Sequence, residues 1–158
     1  MNLIEAKDFN LQTTLESGQI FRYHHNNSNG FYYVVVGDSI IKLQQTGTGV
    51  FYECSNSTFD VRKFLGLDHN YSSILRAIAK DEKIAAAVRR HSGLRILEQQ
   101  PWECTTSFIC SAFSNIPRIK QCIEKVAAAF GSRIEFDSFQ TFSFPQPQQI
   151  NDFSKLKK

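Results

Sequence analysis

The side chains able to do covalent chemistry are few in this chain, and their spacing assembles no self-evident reactive site. A nucleophilic lysine needs a desolvated pocket that lowers its pKa. Lys120 and Lys125 fall on an amphipathic segment and Lys155, Lys157 and Lys158 in a polar tail, with nothing nearby to supply such a pocket. The cysteines Cys54, Cys104, Cys110 and Cys122 form no Cys-x-x-Cys pair and have no histidine at ligand spacing. Three of them fall among apolar neighbours on expected helix faces, where a thiol packs as a small hydrophobe, so buried free thiols are expected. His24 and His25 flank an Asn-rich turn and read as exposed rather than metal-binding. Two further groups stand out. One is Gly18, Gln19, Phe21 and Arg22; the other is Phe113, Ser114, Asn115 and Arg118. Their types leave roles open: Gly18 serves a turn, a bulge or a close backbone approach, and Arg118 is a pure donor or a first-turn helix charge.

The second group lies at the junction of two expected helices. Pro101 and Pro117 each stand where a first helical turn begins and a missing N–H costs little. Ser114 and Asn115 supply capping oxygens before the second helix. Ile119, Cys122, Ile123, Val126, Ala127 and Phe130 then recur with helical spacing as a core-facing stripe, and Gly131 is expected to stop the helix in a left-handed C-terminal turn.

Upstream, residues 9–54 predict antiparallel sheet. Phe9, Leu11, Thr13 and Leu15 alternate as in a half-buried strand. The Asn26–Gly30 turn cluster separates a strand over 20–23 from one over 31–36, and Gly37-Asp38 reverses the chain into a strand over 40–44. A further strand is expected over 50–54. Beyond Ser57 the pattern becomes helical: a short helix closed by Gly66, then helices over 71–79 and 81–91, with a break at Gly93. Past Phe136 periodicity is lost, and Phe142-Ser-Phe-Pro-Gln-Pro147 reads as extended. Strands followed by helices predict an α+β architecture.

With 158 residues, 42% hydrophobic and 13% aromatic, the chain is long and apolar enough for a packed core. A net charge of +3 does not by itself mark a nucleic-acid binder. The bases nevertheless concentrate in the second half, at Arg76, Lys80, Lys83, Arg89, Arg90, His91, Arg95, Arg118, Lys120, Lys125 and Arg133. Charge alone makes these a solvated helical surface. There is no signal-peptide core and no membrane-length apolar run, so a soluble, intracellular protein in a reducing compartment is expected.

Two separated motifs carry a resemblance. Leu15-Glu-Ser-Gly-Gln-Ile-Phe-Arg-Tyr23, and Phe108-Ile-Cys-Ser-Ala-Phe-Ser-Asn-Ile-Pro-Arg-Ile119 preceded by Leu94-Arg-Ile-Leu97 and Pro101-Trp-Glu-Cys104, are similar to 8-oxoguanine DNA glycosylases. Phe144-Pro-Gln-Pro147 extends the match nearly to the C-terminus. The resemblance implies a twisted antiparallel sheet with helices, of the TATA-binding-protein-like type, over 1–92. The first helices of an all-helical glycosylase domain would follow over 93–158.

It also implies base-excision repair of damaged double-stranded DNA by a DNA N-glycosylase with apurinic-site lyase activity, as a monomer without metal or organic cofactor. A non-catalytic module binding DNA or a partner is the alternative. By the resemblance, the Gly18 carbonyl reads the N7–H that distinguishes 8-oxoguanine from guanine. Gln19 and Phe21 accompany it, whereas Arg22 is a surface or structural charge. Ser114, Asn115 and Arg118 enter the gap left by a flipped base, with Arg118 donating to the orphaned cytosine. Phe113 departs from the family, which commonly has asparagine there; it is either the last core residue of its helix or a stacking wedge. The family's catalytic lysine and aspartate, in a Gly-rich hairpin and the loop after it, have no counterpart up to Lys158. These 158 residues are therefore expected to be inactive alone.

Overall fold

The computed structural model describes residues 1–150, so Lys155, Lys157 and Lys158 lie outside the described residues. Strand β1 (Asn2–Glu5) and the short helix α1 (Leu11–Leu15) precede a meander of β2 (Tyr23–Asn26), β3 (Phe31–Val36), β4 (Ser39–Gln45) and β5 (Gly49–Cys54). These strands form one antiparallel sheet in the order β1-β5-β4-β3-β2. Helices α2 (Val61–Phe64), α3 (Tyr71–Ile78), α4 (Glu82–Arg90), α5 (Pro101–Ser111) and α6 (Ile116–Phe130) follow, and a hairpin of β6 (Arg133–Phe136) and β7 (Phe139–Phe142) succeeds them. The α+β architecture expected from the sequence is the one observed.

The sheet is covered on both faces, and strand alternation divides the work. Tyr32, Val34 and Val36 of β3, with Ile41 and Leu43 of β4, turn to one side. There they meet Phe9, Leu11, Leu15, Val61, Phe64, Leu65 and Leu97. Each such side chain stabilises the fold by roughly 1.5–3 kcal/mol on burial, which makes this cluster the main core. On the other side the Tyr33 hydroxyl donates to Asp137 Oδ2 at 2.9 Å, and its ring stacks on Phe139 with centroids 5.0 Å apart. Lys42 pairs with the same Asp137, so the β6–β7 turn is tied to the sheet.

Four expectations need correction. Residues 9–15 are not a strand: Asn10 caps α1 by accepting from the Thr13 N–H, and Leu11, Thr14 and Leu15 are buried at i, i+3 and i+4. The apolar residues there satisfy both periods, and the cap decides for the helix. The strand expected over 20–23 begins only at Tyr23, because Ile20 and Arg22 are drawn into the interior. Residues past Phe136 do form structure, a hairpin whose turn residues Asp137 and Ser138 have φ of 49° and 63°. Gly131 ends α6 with φ −80° and ψ 168°, not in the left-handed region. Its lack of a side chain is needed for another reason: a Cβ there would fall 2.0 Å from the Ser143 carbonyl oxygen.

Helices α3 and α4 contrast with the rest. Asn70 and Asp81 cap them by accepting from the Ser73 and Ile84 N–H groups, yet neither helix buries a residue. Their apolar stripes line an open groove of about 500 Å³ with Ile74, Ile78, Ile84 and Val88 among its walls. No described helix is long and apolar enough to cross a membrane.

Candidate nucleic-acid interface

The two motifs singled out in the sequence are joined through the α5–α6 pair. Helix α5 ends at Ser111 and α6 begins at Ile116, with Asn115 as its cap accepting from the Arg118 N–H at 3.1 Å. The tight link between them is closed by the Ser114 N–H donating to the Ser111 carbonyl. That geometry forces Phe113 to φ 53°, a region that costs an L-residue about 1–2 kcal/mol. The ring gains nothing from burial in exchange, since Phe113 is 109% exposed relative to the reference state. It is thus not the last core residue of its helix.

Around this tip lies a shallow pocket of about 370 Å³ walled by Phe113, Ser114, Arg118, Gln121, Lys125 and the thiols of Cys110 and Cys122. Arg118, Gln121, Cys122 and Lys125 recur at i, i+3, i+4 and i+7, one face of α6. Gln121 was not singled out from the sequence, although this polar periodicity on the side opposite Ile119 and Ile123 was there to be read. The face offers cations and amide groups, a surface able to hold anions or acceptor-rich ring edges.

Beneath it, a buried charge locks the helices to the sheet. Arg22 is 3% exposed, a structural charge and not a surface one. Its Nε donates to Glu124 Oε1 at 3.2 Å, one Nη donates to the Phe142 carbonyl and the other lies 3.8 Å from Glu103 Oε1. Glu103 in turn accepts from the Gly37 N–H at 2.8 Å, and burial pushes its carboxyl above the usual range. One guanidinium therefore ties together the start of β2, the first turn of α5, the middle of α6 and the end of β7. Phe21, next to it, packs with Trp102 against Ile119, Ile123 and Phe144.

Gly18 has φ +85°, and a Cβ built there meets no atom within 4 Å. Backbone conformation, not internal crowding, thus calls for glycine, and the space before it is open. Gln19 is engaged within the chain: its carboxamide accepts from the Leu97 N–H at 2.9 Å and donates to the Arg95 carbonyl at 2.8 Å. Its side chain thereby fixes the Gly18 turn against the linker leading to α5.

Several bases named from the sequence are occupied. Lys120 lies over the Tyr23 ring at 3.7 Å, Arg95 over Tyr71 at 3.7 Å, and Arg133 bonds Gln140. The expectation of buried thiols fails: Cys104 and Cys122 are exposed and Cys54 and Cys110 only half-buried. Cys104, Cys110 and Cys122 lie on α5 and α6, whose apolar stripes are only partly covered, whereas Cys54 ends strand β5. Among the described residues no group of three His, Cys, Asp or Glu is placed to hold a metal ion.

Comparison with known proteins places this geometry. The family model of the 8-oxoguanine DNA glycosylase N-terminal domain matches residues 2–105. The N-glycosylase/DNA lyase of Saccharomyces cerevisiae is 27% identical over 163 residues, covering 93% of this chain and 43% of the yeast protein. The chain thus spans less than half the length of that relative. A solved structure of MBOgg1 in complex with a low affinity DNA ligand superposes with a TM-score of 0.87 at 31% identity, over 98% of this chain and 58% of that one. The 8-oxoguanine glycosylase/lyase of Clostridium acetobutylicum, in complex with double-stranded DNA containing cytosine opposite 8-oxoguanine, gives a TM-score of 0.86 at 26% identity, over 99% and 59%. A family model matched over more than half of the chain, residues 2–105, means that this protein belongs to the 8-oxoguanine DNA glycosylase family.

Proposed function

We propose that this chain carries the lesion-reading half of a base-excision repair enzyme that removes oxidised guanine from duplex DNA. A base is reached by such an enzyme only after extrusion from the stack, which leaves a gap and an orphaned partner. In this reading Phe113 stacks into the gap, Arg118 donates to acceptors of the opposite cytosine, and Ser114 and Asn115 line the turn between them. The Gly18 carbonyl faces the extruded base. It attracts the N7–H of 8-oxoguanine and repels the N7 lone pair of guanine, a difference that buried polar groups convert into strong discrimination. Gln19 acts by holding that turn, and Phe21 by packing behind it.

The observation that carries the reading is the tip at Phe113: a strained, fully exposed aromatic bordering a pocket walled by Arg118 and Lys125. Apolar side chains in such positions pry base steps apart. The whole enzyme would act as a monomer inside the cell, as an N-glycosylase with lyase activity and no metal or organic cofactor. These residues alone would not catalyse it. Lys42 is held above its ordinary value by its hydrogen bond to Asp137, Lys63 pairs with Glu98 at the surface, and Lys120 rests on Tyr23. None of these amines stands free in an enclosed pocket, the setting a Schiff-base nucleophile requires.

Equilibrium binding to duplexes with 8-oxoguanine or guanine opposite cytosine tests the recognition step. The wild-type chain should prefer the lesion by at least about tenfold, or 1.4 kcal/mol. Gly18→Ala should lose most of that preference while keeping its affinity for undamaged duplex. A preference left intact in Gly18→Ala would remove Gly18 from the lesion site.

A further inference from the structure

Cys110 and Cys122 face each other across the α5–α6 pair with their sulfurs 3.5 Å apart, and both line the pocket beside Phe113. We propose that they form a reversible dithiol–disulfide site that staples the two helices beneath the interface tip. Neither thiol is needed for the recognition described above: Cys122 is exposed, and Cys110, half-buried at the edge of the Ile119, Ile123 and Phe144 cluster, keeps its sulfur within reach of Cys122.

The two positions are chemically unequal in a way that orders the reaction. Cys122 is open to solvent and flanked on its own helix face by Arg118, four residues before, and Lys125, three residues after. Cys110 is less accessible, and burial together with the adjoining Cys122 sulfur pushes its thiol above the ordinary value. A small disulfide such as oxidised glutathione therefore meets Cys122 first. The Cys122 thiolate attacks one sulfur, a mixed disulfide forms, and one glutathione thiolate leaves. Cys110 then loses its proton to solvent and attacks the Cys122 sulfur, expelling the second glutathione. The protein gives up two protons and two electrons, and the small disulfide becomes two thiols. A reducing thiol pool reverses both steps.

The new bond would close the loop that holds Phe113 and Arg118, and would do so from positions already in contact. Cys54 and Cys104 have no such neighbour, so they can form mixed disulfides with glutathione but not this bridge.

The test is thiol counting and peptide mapping of the 158-residue chain equilibrated across glutathione redox buffers. Two of the four thiols should disappear together, without net glutathione addition at them. Proteolysis should yield a peptide pair linking Cys110 to Cys122. Cys122→Ser, an exposed change whose fold is checked by circular dichroism, should abolish the link and leave Cys110 unmodified under the same buffers. Cys104→Ser should leave the link intact. Glutathione adducts without a 110–122 bridge would overturn the proposal, as would a bridge that instead involves Cys54 or Cys104. Since no DNA is present, failure here would leave the reading of the DNA-facing tip untouched.

Discussion

Arg22 and Phe113 occupy opposite extremes of one structural unit. Arg22 is a charge where a charge is expensive, 3% exposed: its Nε and one Nη donate to Glu124 and the Phe142 carbonyl, while the other Nη lies 3.8 Å from the Glu103 carboxylate and makes no hydrogen bond among the described residues. Phe113 is an aromatic where an aromatic is wasted for stability, fully exposed on a backbone conformation that favours glycine. The first is held by its surroundings, whereas the ring of the second is turned away from the other described residues. Folding accounts for Arg22. It does not account for Phe113, so the side chain at the tip is where a partner has to be sought.

The largest effect should come from breaking the buried end of this contrast. Arg22→Met removes the guanidinium but leaves Glu103 and the Phe142 carbonyl enclosed, and should lower unfolding free energy in denaturant by about 3–5 kcal/mol. Adding Glu103→Gln to it should recover part of the loss, since one stranded charge is then gone. At the exposed end the sign reverses. Phe113→Gly should be at least as stable as the parent, by up to about 1 kcal/mol, because relief of the left-handed strain offsets the added freedom of the unfolded chain. A clear loss of stability in Phe113→Gly would mean that the ring packs on the protein after all.

The smallest effect concerns the hairpin that caps Arg22. Its turn residue Asp137 is held below the ordinary value of 3.8 by hydrogen bonds from Lys42 and Tyr33. A depressed acid contributes stability that is present above the unfolded value and lost as pH falls through the folded one. Melting temperature should therefore drop as pH is lowered from 3.8 towards that depressed value. Asp137→Asn keeps the left-handed turn, which Asn tolerates, and should flatten this part of the profile. An unchanged profile in the variant would show that other carboxylates carry the acid sensitivity.

How much of this was legible depends on whether the deciding contact is local. The meander from Phe31 to Cys54 followed from its turns, because Gly30 and Gly37, with φ of +73° and +60°, sit where reversals demand them. Helices α3 to α6 followed from caps and periodicity, with Asn115 capping as the sequence indicated. The β6–β7 hairpin escaped notice because its turn uses Asp137 and Ser138 in place of glycine and its strands are four residues each. Helix α1 was misread because five residues cannot distinguish the two periods.

At the site, both motifs and the helix junction were readable, while two things were not. The burial of Arg22 depends on partners 102 and 120 residues away, which no local pattern encodes. The exposure of Phe113 follows from the angle at which two well-predicted helices meet, not from its own neighbours in sequence. The Cys110–Cys122 contact is of the same kind: two thiols that look like core residues along their own helices prove to face each other at the pocket wall.

The most direct test of the account is the affinity of Phe113→Ala for a duplex containing 8-oxoguanine, read by fluorescence anisotropy beside the wild-type chain. Base–aromatic stacking of about 1–3 kcal/mol predicts a loss of roughly five- to 150-fold, with thermal stability unchanged. Equal affinity in the two proteins would contradict the claim that the tip at Phe113 enters the DNA.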